Sequence, residues 1–206
     1  RTIGRNCANA VSRYRIEHDG EAHSCAAESI TVRACADADC TSLSSAGATG
    51  TLSAGGNSVA FSIPVGQTST SVSLLLPTVT DVGNPQPVSL ALSAVSPVPA
   101  LVTSCRNGAG TINTTTACQS AVSDVGFVID APDHVADVVQ TVSVRALRRS
   151  TPGGGNPRDT ACTPLFGNVT RNVGFWANYS DPATGTRSTT LAGVTLGSAS
   201  PGSPVT

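Results

Sequence analysis

The sequence predicts an all-β protein built of immunoglobulin-like antiparallel β-sandwich domains in tandem. Three observations carry that prediction. Short apolar–polar alternations recur at intervals of about ten residues. Gly, Pro and Asn separate them. No stretch holds the apolar period of a helix over a credible length.

In chain order, residues 1–11 are polar, contain Cys7 and read as an extended lead-in. The stretch from Tyr14 to Cys40, YRIEHDGEAHSCAAESITVRACADADC, then supplies two strands and a turn. Tyr14, Ile16 and His18 alternate with Arg13, Arg15 and Glu17, and Asp19-Gly20 ends that strand. Ser29 to Ala34 repeats the pattern, with Ile30, Val32 and Ala34 on one face and Thr31 and Arg33 on the other. In the Ser/Gly/Ala-rich segment that follows, Thr49 to Ser53 reads as a short strand and Gly55-Gly56-Asn57 as a turn. Val59, Phe61 and Ile63 form a strand stopped by Pro64, and Val65-Gly66-Gln67 turns the chain. Ser71 to Leu76 and Val88 to Val95 complete the series.

Between Pro97 and Ser123 the alternation lapses into small polar residues with two cysteines, which places a domain boundary near residue 123. The expected domains are 1–123, an immunoglobulin-like sandwich with a cysteine-rich lead-in and linker, and 124–206, a second β domain. Gly126 to Asp130, Thr141 to Leu147, Thr170 to Tyr179 and Thr189 to Leu196 are its expected strands. Four strands are few for a closed sandwich. Either the second domain is small, or its remaining strands lie elsewhere, and an open edge of this kind is a template for strand addition by another chain.

Composition narrows the function. Charged residues make up 12% of the chain and the formal net charge is -1, whereas nucleic-acid binding needs clustered basic residues to neutralise phosphates. Arg145, Arg148 and Arg149 alternate with apolar residues and read as a solvated strand end rather than a binding patch. No stretch approaches the roughly 18 apolar residues of a membrane span. The first ten residues, RTIGRNCANA, contain no apolar run, so the chain reads as mature protein or an internal piece of a longer one. Aromatics are scarce and Met is absent, leaving Val, Leu, Ile and Ala to build the core. Thin cores in exported domains are commonly stapled by disulfides.

Seven cysteines fit that pattern. Cys35 and Cys40 are separated by four residues and suit a loop clasp at a strand end. Cys105 with Cys118 closes the interdomain loop, Cys7 with Cys25 ties the lead-in to the first turn, and Cys162 is left over. A metal site needs converging ligands, and His18, His23 and His134 are not at paired ligand spacing.

Several residues have the chemistry of a site. His18-Asp19 with His23 and Glu28 is the raw material of an acid–base centre, yet Asp19-Gly20 is more simply a turn and His18 follows the inward alternation. His134, after Pro132-Asp133, repeats the turn context. Asp37 and Asp39 could offer carboxylates to Ca²⁺, but two fall short of the roughly six oxygens such an ion gathers, and the loop reads as solvated. No G-x-S-x-G, HExxH, Walker loop or haem attachment motif occurs, and no cofactor is expected. Val173, Phe175 and Ala177 alternate with Gly174, Trp176 and Asn178, so one aromatic faces away from the core. Trp176 is the candidate ligand contact, for a sugar ring or a protein interface, against the reading that a neighbouring domain covers it.

Four segments carry a family resemblance: YRIEHDG, SCAAESITVRACADADC, APDHVADVVQTVSVRALR and NVTRNVGFWANYSDPATGT. They resemble a region of large bacterial surface proteins of the MSHA pilus biogenesis protein MshQ family, over roughly Tyr14 to Thr186. The resemblance implies an exported, cell-surface protein of a Gram-negative bacterium, associated with type IV pili or adhesion, and brings no catalytic residue with it. In such a host the sequons at Asn113, Asn168 and Asn178 are expected to be bare. The favoured function is therefore a non-catalytic extracellular structural or adhesive protein, acting as stalk, adhesin or filament component. Other surface or pilus proteins, a strand-adding copy of itself or a glycan are its expected partners. The alternative is a carbohydrate-binding accessory domain of a secreted enzyme.

Overall fold

A computed structural model gives the fold. It describes residues 10–77, 84–108, 118–130, 138–149, 162–166, 173–175, 190–191, 193–196 and 204–205. Every regular element among them is a β-strand. Among the described residues no helix is long and apolar enough to cross a membrane. The chain divides into two compact units, Arg1–Leu165 and Phe166–Thr206.

The first unit is built on a sandwich. Its strands are β1 (Arg13–Glu17), β2 (Glu21–His23), β3 (Ala27–Cys35), β4 (Ala48–Ala54), β5 (Asn57–Ile63), β6 (Ser69–Leu75), β7 (Gln86–Ser96), β8 (Ser104–Arg106) and β9 (Gln119–Ser123). One sheet has the order β6-β3-β1-β8, the other β2-β9-β7-β4-β5. The period of two in β1 and β3 fixes their register: Tyr14 opposes Ala34 and Ile16 opposes Val32, which puts all four on the face turned to the second sheet. There Ile16 and Ile30 meet Leu52, Leu90 and Val122, while Tyr14 and Val32 meet Ala48, Phe61 and Ile63. Each such fully buried aliphatic side chain contributes about 1.5–3 kcal/mol.

Tyr14 meets Phe61 edge-on, with centroids 6.3 Å apart, and its hydroxyl donates to the Pro97 carbonyl at 2.9 Å. Gly50 is required beside that ring, because a Cβ there would lie 2.7 Å from Phe61. At the same place the β4–β7 register shifts between Thr49 and Thr51. β7 uses one more residue than β4 to cross that interval, and Ala94 takes a positive φ of 50° within it.

Both ends of the sandwich's chain change sheets. β1 and β2 lie in different sheets on either side of the His18–Gly20 turn, and β8 and β9 follow them, pairing parallel with β1 and β2 respectively. β9 sits between β2 and β7. The stretch expected to be an interdomain linker therefore holds the sandwich's last two strands.

A three-stranded antiparallel sheet follows, of β10 (Val125–Asp130), β11 (Ser143–Arg149) and β12 (Cys162–Pro164), in that order. Phe127 opposes Ala146 and Ile129 opposes Val144 on one face; Gly126 opposes Leu147 on the other. The second unit holds β13 (Val173–Gly174) paired with β16 (Pro204–Val205), and β14 (Thr190–Leu191) paired with β15 (Val194–Thr195). The single strand expected over Thr189 to Leu196 is thus a hairpin, and Gly193, with φ 82°, supplies the turn that breaks it.

Candidate functional site

The opening stretch is wired mainly as structure. His18 is buried and its Nδ1 accepts the Gly20 amide at 3.1 Å, while Asp19 Oδ1 accepts the Glu21 amide at 2.9 Å. Gly108 donates to the Asp19 carbonyl at 3.1 Å, and a Cβ on Gly108 would fall 2.5 Å from that oxygen. These bonds define the turn at which the chain changes sheets. Glu28 opposes Leu74 on the inward side of β3. Burial, then the charge of Asp19 and a hydrogen bond that the Glu28 carboxyl donates to it, raise the Glu28 pKa to about 7. Glu28 therefore holds its proton up to near neutral pH.

Beside it lies a buried polar junction that no motif in the sequence marks. The Ser24 hydroxyl donates to Asp124 Oδ1 at 2.5 Å, and both residues are fully buried. Arg149 Nη1 donates to the Ser24 carbonyl at 2.6 Å, and the Arg149 amide to the Asp124 carbonyl at 2.8 Å. His23 packs its ring on Gly126, and its Nδ1 accepts the Cys25 amide at 2.9 Å. Burial lowers the His23 pKa, the Leu147 backbone and Asp124 oppose that shift, and Arg149 adds to it. Serine, histidine and aspartate are thus gathered in one place, but the serine proton goes to the aspartate, and of the histidine nitrogens Nδ1 is occupied by backbone while Nε2 is buried without a hydrogen-bond partner.

A disulfide closes the junction. Cys25 is bonded to Cys162 across 137 residues, with Cα atoms 5.7 Å apart. This overturns the expected pairing of Cys7 with Cys25 and gives Cys162 its partner. The reason is register: Cys162 opposes Arg149 on β12, and Arg149 is already bonded to Ser24, next to Cys25. Cys105 is bonded to Cys118, joining β8 to the start of β9.

Cys35 is bonded to Cys40, with Cα atoms 4.8 Å apart. Inside that clasp the Asp37 carboxylate accepts the Thr41 amide and hydroxyl at 2.9 and 2.6 Å and the Ser42 amide at 2.7 Å. Thr41's hydroxyl foremost, with the two amides, holds Asp37 down at about 2. The oxygens offered to a cation are engaged by the loop itself. Among the described residues no cluster of three or more His, Cys, Asp or Glu has the arrangement of a metal site.

The loop also explains why Arg15, at an outward position of β1, is only 6% exposed. It folds back over the strand, and the Asp39 carbonyl accepts Arg15 Nη2. Around Arg15 the register gathers further cations on the outer face of the four-stranded sheet. Arg15 opposes Arg33, Arg13 lies two residues along, and Arg106 on β8 opposes Glu17. Glu17 accepts Arg33 Nε at 2.6 Å. Of the expected basic strand end, Arg145 and Arg148 are exposed and Arg149 anchors the junction. Trp176, Cys7, His134 and the three sequon asparagines lie outside the described residues.

No curated protein and no solved structure matches the chain. Residues 11–100 match a family model described as a domain of unknown function (DUF8613). Residues 102–206, just over half of the chain, match the model described as domain of unknown function (DUF6701), first Ig-like domain. β8 and β9 fall within that second match although they complete the preceding sandwich. On the strength of the longer match, and with an all-β architecture to accompany it, the chain belongs to the DUF6701 first Ig-like domain family.

Proposed function

We propose that the protein is a non-catalytic extracellular structural or adhesive component, related to the pilus-associated MshQ family that its segments resemble, serving as stalk, adhesin or filament part. One observation carries the reading: the Cys25–Cys162 bond and the buried Ser24–Asp124–Arg149 junction lock the β10–β12 sheet onto the sandwich. A protein that must hold a fixed extension gains from such a junction, and three disulfides suit an oxidising compartment. The Ser24 hydroxyl's bond to Asp124, rather than to the His23 imidazole, supports a non-catalytic role.

A strand from another chain is the partner this reading favours. β10 ends the three-stranded sheet, and Phe127 and Ile129 are half or more exposed on it. Unpaired edges with apolar side chains recruit added strands. The test is labelling of intact cells with antibody to the chain, together with incubation of the purified protein with polysaccharides and peptides. Surface labelling without turnover is expected; turnover abolished by His18→Ala or by His23→Ala overturns the non-catalytic reading.

A further inference from the structure

The joint between the sandwich and the β10–β12 sheet contains a histidine that takes a second proton only by giving up a bond. His23 ends β2, and its Nδ1 accepts the Cys25 amide at 2.9 Å. A ring nitrogen that accepts an amide carries no proton, so the neutral ring holds its hydrogen on Nε2. Nε2 lies by the Leu147 backbone and is buried without a hydrogen-bond partner. The carbon edge of the ring meets the sheet, where a Cβ on Gly126 would fall 2.9 Å from Cδ2. Gly126 and Leu147 oppose each other across β10 and β11, so the ring packs on one rung of that ladder.

The charges around the ring decide what a second proton meets. Asp124 favours it and Arg149 opposes it. Both are fixed in place: Asp124 Oδ1 accepts the Ser24 hydroxyl, and Arg149 Nη1 donates to the Ser24 carbonyl at 2.6 Å. β9, which pairs with β2, brings Gln119–Ser123 and no ionisable group, and β12 brings Thr163 and Pro164 beside the bonded Cys162. Burial foremost, with Arg149 behind it, keeps His23 below its ordinary 6.5 against the Leu147 backbone and Asp124.

A second proton goes to Nδ1, where it points at the Cys25 N–H. Two donors then face each other and the amide loses its acceptor. The residue that loses this bond is the one tied covalently to β12, through Cys162. We propose that acid unlocks the joint: protonation of His23 releases the β10–β12 sheet from the sandwich, and the Cys25–Cys162 bond keeps the two tethered. At neutral pH the sheet is a stiff extension of the sandwich. In acid it swings on the disulfide and on the chain between β9 and β10, and the Gly126–Leu147 rung opens to solvent. The released form carries an ordinary histidine, so each pH unit below about 6.5 multiplies its population by up to about ten, until the closed form takes the proton as well.

The experiment is amide hydrogen exchange of the whole chain followed by NMR, with the His23 ring resonances titrated in the same samples. Protection factors are already corrected for the intrinsic pH dependence of exchange and read local opening directly. From pH 7.5 to pH 5.5 those at Cys25 and along β10 and β11 should fall by about threefold or more, following the His23 titration curve. The β4–β5 ladder should show no such fall. His23→Gln, whose side-chain oxygen accepts the Cys25 amide without titrating, should show none at Cys25, β10 or β11. A fall of the same size in the variant assigns the response to other groups, the His18–Gly20 bond among them, and overturns the proposal. A parent whose His23 ring titrates while β10 and β11 stay equally protected overturns it without recourse to the variant. Either failure leaves the non-catalytic reading standing.

Discussion

The β1–β3 ladder and the β10–β11 ladder are both antiparallel and both alternate, yet they meet different environments. In the first, Ile16 is fully buried; in the second, Ile129 is 59% exposed. Both isoleucines sit opposite valine, Val32 and Val144 respectively. What separates them is the second layer. β4, β7 and β9 cover the inner face of β1 and β3, whereas the Phe127–Ile129 face of β10 is open among the described residues. Alternation marks which side chains share a face; only an opposing sheet turns that face into a core.

The strongest way to break the comparison is to cut the covalent tie between the two regions. Closing a loop of 137 residues stabilises by up to about 5 kcal/mol in the chain-entropy account. Cys25→Ser with Cys162→Ser should therefore lower stability by several kcal/mol, with limited proteolysis entering β10–β12 before the sandwich. Digestion that spares β10–β12 and starts in β4–β7 would reverse the ranking of the two regions.

A matched pair of truncations sharpens it. Ile16→Ala should cost about 3–4 kcal/mol, as large-to-small changes in packed cores do, while Ile129→Ala should cost less than about 1 kcal/mol, as at exposed sites. Urea unfolding of the two variants gives the numbers directly. Equal losses would mean that the β10 face is covered in solution.

Glu28 makes the sandwich pH-sensitive. Its folded pKa of about 7 lies above its ordinary value, so between roughly pH 4.5 and 7 the folded state binds more protons than the unfolded one, and stability falls as pH rises. Discounted for a half-exposed group, the effect is about 1 kcal/mol. His23 works in the opposite sense, since its lowered pKa takes stability away as pH falls through its ordinary range. Melting curves of parent and Glu28→Gln at pH 5 and pH 8 isolate the carboxyl. The difference between the two proteins should change with pH, and parallel curves would contradict the assignment. The smallest effect belongs to the bulge: Ala94 at φ 50° is in the left-handed region, so Ala94→Gly should raise stability by up to about 1 kcal/mol. A lower melting temperature would show that the Ala94 methyl contributes more than its backbone costs.

The strands with clean alternation, β1, β3 and β5, were legible because a single buried face imposes a period of two. β2 and β8 were not, since three residues are too few to display a period. β9 was hidden for another reason: Ser120 and Val122 are its buried positions, and the serine made the run read as linker. Parallel pairing with β1 and β2 also needs no tight turn, so no Gly or Asn signal announces it. Of the site residues, the Cys35–Cys40 clasp follows from its spacing, whereas Cys25 with Cys162 depends on a sheet that forms over a hundred residues later. Asp124 carries no signal at all, and Arg15 looked solvent-facing because a loop's path over a strand is not written in the strand.

The parallel pairing of the first strands with the last has a mechanical consequence. When β1 lies parallel to β8 and β2 to β9, tension applied to the chain before β1 and after β9 pulls the paired strands lengthwise past each other. The hydrogen bonds of the pair are then strained together instead of peeling apart one at a time. The Cys25–Cys162 bond adds a covalent path from the β2–β3 turn to β12. Force arriving from beyond residue 162 can reach the sandwich through that bond without first drawing on the ladder of β9.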